Sequence, residues 1–160
     1  YVVHDVWKAD PRFWRPVRSP NLCLDWLRAF HEAVPGARVL YICSVRDSAM
    51  AAYQHYLDRG VLEPTREMCL KFKQDLKTMV RGLKTAIPGC GVFLFDKPAP
   101  ALDPAIGATQ HTLMGDSGFF EPALPDAPES SAARWLWSAV GGTVYDVGLH
   151  LLEIGEPEPD

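Results

Sequence analysis

The chain has 160 residues, 48% of them apolar, and a formal net charge of -4. That length suits one domain with a real core, and the acid surplus argues against a general nucleic-acid binder, which carries a basic excess. No apolar run approaches the roughly 20 residues of a membrane-spanning helix. The four cysteines, Cys23, Cys43, Cys69 and Cys90, lack the paired spacing of a zinc site.

Chain order gives an alternation of strand-like and helix-like runs. Tyr1-Val2-Val3-His4-Asp5-Val6 reads as a buried strand, and the chain as an α/β domain whose first elements precede Tyr1. Lys8 to Pro16 is a loop held by two prolines. A helix is expected from Ser19, with Pro20 in its first turn. Cys23, Leu24, Leu27, Phe30 and Val34 recur at helical spacing, and Pro35-Gly36 ends the run.

Arg38-Val39-Leu40-Tyr41-Ile42-Cys43 is the clearest strand. A short helix follows over 47–58 and a long one from Pro64 or Thr65 to Ile87, its buried stripe made by Met68, Phe72, Leu76, Met79, Val80 and Leu83. Lys73, Lys77, Arg81 and Lys84 form a basic stripe, expected to be a solvated face. Gly91 to Asp96 is the third strand. Residues 97–130 form a long loop; its 97–128 part holds six of the fourteen prolines. A helix over 131–140 and a strand over 143–150 complete a single α/β domain, 1–155, followed by the acidic tail 156–160.

This order predicts a three-layer sandwich with a short, mostly parallel sheet. Sites in such sheets lie at the C-terminal ends of the strands. Those ends carry Asp5, Trp7, Ser44, Arg46, Asp96 and, for a parallel last strand, His150. The cysteines, each in an apolar setting, read as buried free thiols of a reducing compartment, with two disulfides as the alternative.

Three constellations carry chemistry. Asp146-Val147-Gly148-Leu149-His150-Leu151, with Gly155 beyond it, resembles the last block of SGNH/GDSL-type esterases, in which an acid precedes the histidine by three residues rather than the four seen here. Val2 to Trp7 resembles the third strand of that family and its PC-esterase relatives, and Pro35 to Leu40 and Gly91 to Asp96 resemble the next two. Gly115-Asp116-Ser117-Gly118 holds the residues of the family's nucleophile block, displaced to a later position; it also suits a simple turn. The resemblance implies a hydrolase of acyl or acetyl esters on small molecules or glycans. Ser117 would be its nucleophile, His150 or His111 its base and Asp146 its acid, with no metal or cofactor.

The second constellation, Lys8, Arg12 and Arg46, resembles the donor site of sulfotransferases and implies 3′-phosphoadenosine 5′-phosphosulfate as cofactor. The third is the aromatic and arginine cluster of Trp7, Trp14 and Arg15. It suits an interface with a protein partner or with a preceding segment of the chain, which is the expectation for a catalytically inactive module.

Overall fold

A computed structural model describes residues 22–113, 117–124 and 127–154. The expected first strand, Trp7, Lys8, Arg12, Trp14, Arg15 and the acidic tail lie outside the described residues. The elements are α1 (Leu22–Ala33), β1 (Leu40–Ser44), α2 (Ser48–Arg59), α3 (Arg66–Ala86), β2 (Gly91–Phe95), β3 (Pro122–Leu124), β4 (Ala127–Ser131) and α4 (Ala132–Val140). Single 3-10 turns occupy Pro104–Ile106, Ser117–Phe119 and Leu149–Leu152.

Local chemistry sets the helix ends. The Asp47 carboxylate accepts from the Met50 amide at 2.9 Å and starts α2. Thr65 does the same for α3 through the Met68 amide at 3.2 Å, and Ser131 for α4 through the Arg134 amide at 3.3 Å. Each side-chain oxygen satisfies a first-turn donor that has no partner within the helix. Gly60, at φ 73, closes α2 by donating to the Tyr56 carbonyl. On α3 the buried residues Met68, Leu76, Met79, Val80 and Leu83 follow the expected stripe.

β1 and β2 pair in parallel, in register from Leu40 opposite Gly91 to Ser44 opposite Phe95. All five β2 residues are buried, so both faces of this strand are covered. Phe93 meets the Trp135 ring of α4 at a centroid distance of 5.3 Å on one face. Alternation sends Val92 and Leu94 to the other, into the core that Leu76, Met79, Val80 and Leu83 of α3 also join. The fold is therefore a mixed α/β domain around a short parallel sheet.

Two expectations need correction. The closing strand over 143–150 is reduced to one parallel bridge, Val147 beside Phe93. The Val147 amide donates to the Val92 carbonyl at 2.8 Å, and the Leu94 amide to the Val147 carbonyl at 2.9 Å. Gly148, at φ 74, then turns the chain into the 3-10 turn Leu149–Leu152. The loop expected over 97–130 is also not irregular throughout. It contains the 3-10 turn Pro104–Ile106 and an antiparallel β3–β4 pair that places Pro122 opposite Ser131. Ser130 braces that pair, accepting from the Leu124 amide and donating to the Ala127 carbonyl. The pair is local, Leu124 standing opposite Ala127, but Pro122 at its start makes the segment read as loop rather than strand.

Candidate functional site

The parallel register brings the exits of β1 and β2 side by side. From β1 the chain passes through Val45-Arg46-Asp47 into α2; from β2 it leaves through Asp96 and Lys97. The segment after β2 then folds back, and Thr109 pins it to the β1 exit. Its amide donates to the Arg46 carbonyl at 2.9 Å, its carbonyl accepts from the Ser48 amide at 3.0 Å, and its hydroxyl accepts from the Arg46 amide at 3.0 Å. The same hydroxyl shares a hydrogen bond with Ser44 Oγ. Thr109 and Ser44 are both buried, so these bonds satisfy groups that water does not reach.

Two residues past this pin, His111 comes down on Asp47. Its Nδ1 lies 2.9 Å from both Asp47 Oδ1 and Oδ2. The side chains differ sharply in exposure, 55% for His111 and 3% for Asp47. A carboxylate can only accept, so Nδ1 carries the proton of this bond and Nε2 is left as the ring's basic nitrogen when the imidazole is neutral. A buried carboxylate that orients an accessible imidazole in this tautomer is the arrangement of a general base. His111 lines an open groove of about 340 Å³ with Ser48 and Gln110, walled by Pro64, Ala99 and Pro100. Of the residues of the phosphate-site expectation, Arg46 pairs its Nη2 with Asp96 Oδ1 at 2.8 Å, while Lys8 and Arg12 lie outside the described residues.

Asp146, one of the residues first expected to be catalytic, has other partners. Asp146 holds the Lys84 ammonium at 2.9 Å and accepts from the Val92 amide at 3.0 Å. It therefore ties α3 and β2 to the chain beside Val147, and no hydrogen bond to His150 occurs among the described residues. His150 is exposed in the 3-10 turn, where its carbonyl accepts from the Glu153 amide. Ser117 begins the turn Ser117–Phe119; Met114, Gly115 and Asp116 lie outside the described residues.

The basic stripe of α3 is not simply solvated. Lys77 and Arg81 hold the two oxygens of Glu153 at 2.5 and 3.1 Å. Lys73 donates to the Ile154 carbonyl at 2.9 Å and Lys84 to Asp146. Cys43, Cys69 and Cys90 are free thiols. Burial raises the Cys90 thiol above its ordinary value, against an opposing pull from Lys84. Among the described residues no three His, Cys, Asp or Glu side chains gather as metal ligands, and no helix is long and apolar enough to cross a membrane.

Sequence reasoning named His111 as one of two bases but missed Asp47. The missing signal is weak but real: an acidic residue just after a parallel strand, at the start of the next helix, lies where such sheets place their sites. No protein family, curated protein or solved structure matches the chain.

Proposed function

We propose that this domain is a serine hydrolase of acyl or acetyl esters in which His111 is the base and Asp47 its orienting carboxylate. The observation that supports this reading is the Asp47–His111 pair, set at the C-terminal edge of a parallel sheet and opening on a groove. An imidazole held through Nδ1 takes a hydroxyl proton at Nε2 and returns it to the leaving alkoxide, work that typically contributes about 10²–10⁴-fold in rate. Two serines are candidates for the nucleophile: Ser117 of the Gly115-Asp116-Ser117-Gly118 motif, six residues after His111, and Ser48, which lines the same groove as His111.

The test is reaction of the folded protein with a fluorophosphonate, which acylating serines attack irreversibly. Labelling of the wild type that is lost in His111→Ala and kept in His150→Ala supports His111 as base. The reverse pattern moves the base to His150. A folded protein that takes no label is not a serine hydrolase.

A further inference from the structure

We infer that Ser48 is the serine that His111 activates, and that the Ala49 amide donates to the oxyanion; this rests on the hydrolase reading above. Ser48 and Ala49 line the same groove as His111. Ser48 directly follows Asp47, so the base's orienting group and the nucleophile stand on consecutive residues. Its backbone is fixed: the Ser48 amide donates to Thr109, on the segment that carries His111. Its hydroxyl makes no hydrogen bond among the described residues, whereas Ser44 bonds Thr109, Asp47 bonds His111 and Arg46 pairs with Asp96. The hydroxyl and the imidazole line one groove without being hydrogen-bonded to each other, and a nucleophile–base bond is often long in a substrate-free site and closes when substrate binds.

The Ala49 amide has no hydrogen-bond partner among the described residues either, since Thr109 takes the Ser48 amide and Asp47 takes that of Met50. The amide of the residue after the nucleophile is a recurrent oxyanion donor in serine hydrolases. The chemistry then balances without another reactant than water. Ser48 Oγ bonds to the ester carbonyl carbon as its proton moves to His111 Nε2. The carbon–oxygen bond to the alcohol breaks, and the alkoxide leaves with that proton. Water, deprotonated by His111, attacks the acyl-serine, and the acid departs as Ser48 recovers its proton.

The experiment is fluorophosphonate labelling of the full chain with peptide mapping by mass spectrometry, in wild type, Ser48→Ala and Ser117→Ala. The expected result is an adduct on the Ser48 peptide that persists in Ser117→Ala and vanishes in Ser48→Ala, with unchanged circular dichroism and melting temperature. His111→Ala should slow that labelling about 10²-fold or more. An adduct on Ser117 that survives Ser48→Ala overturns the assignment of Ser48 and leaves the hydrolase reading standing. No adduct on any serine of the folded wild type overturns both.

Discussion

Asp47 holds two partners at once, the amide that starts α2 and the imidazole that faces the groove. The two tasks separate by substitution. Asparagine caps a helix about as well as aspartate, but it is uncharged and cannot stabilise the imidazolium that forms when the base takes a proton. For the proposed hydrolase, Asp47→Asn is therefore expected to melt near the wild type and to lose roughly 10³–10⁴-fold in labelling rate, the scale of losing the acid of a catalytic triad. Asp47→Ala should in addition lose about 1 kcal/mol of stability with the cap. Equal, large losses of stability in both variants would show that the carboxylate serves the fold alone. Gly148 is constrained in another way. Its φ of 74 is one that side chains rarely adopt, and an added Cβ would run into the Leu94 carbonyl. Gly148→Ala should cost about 3 kcal/mol or more, read as a drop in the urea midpoint; a near-native midpoint would show that the bridge at Val147 can yield.

Among the elements, α3 and α4 hold the sheet between them. Trp135 is 1% exposed, packs on Phe93, and its indole nitrogen donates to the Tyr145 carbonyl at 2.8 Å. Trp135→Ala should cost about 3–5 kcal/mol, because it opens a cavity and leaves that carbonyl unpaired. A loss below about 1 kcal/mol would mean that the face collapses freely around the gap.

The basic side of α3 clamps the last turn through Glu153. The hydrogen bond from Lys77, helped by the charges of Lys77 and Arg81, lowers the Glu153 carboxyl below its ordinary value. A carboxyl with a lower pKa in the folded state stabilises the fold above its unfolded pKa, and that contribution disappears as pH falls through the folded one. The melting temperature of wild type should exceed that of Glu153→Gln slightly at neutral pH, and the two should converge in acid. The gap should also shrink in high salt, since the pair is exposed and screened. An equal gap at every pH would refute the ionic origin.

At the scale of the molecule, the chain places its polar cluster where a parallel sheet leaves an opening. Consecutive parallel strands end on the same side, and the connections leaving them diverge around a crevice. Here that crevice receives the buried Asp47, the Arg46–Asp96 pair and His111. The opposite carboxylate, Asp146, works as a brace between α3 and β2. A hydrolase would thus be built on the β1 exit, with the far side of β2 spent on stability.

The sequence by itself determined the α/β class, the four helices and both strands of the parallel pair, to within one or two residues at most ends. Periodicity, the caps at Asp47, Thr65 and Ser131, and the Pro-Gly stops all act between near neighbours, so they are written locally. Only the tertiary structure decided which carboxylate His111 meets, for its partner lies 64 residues away. It also decided that Asp146 meets Lys84 rather than a histidine, that the last strand is one bridge long, and that the α3 lysines grip the C-terminal turn. Pairings of that kind depend on where a folded sheet brings distant loops together, and no local pattern of residues encodes the distance between two side chains.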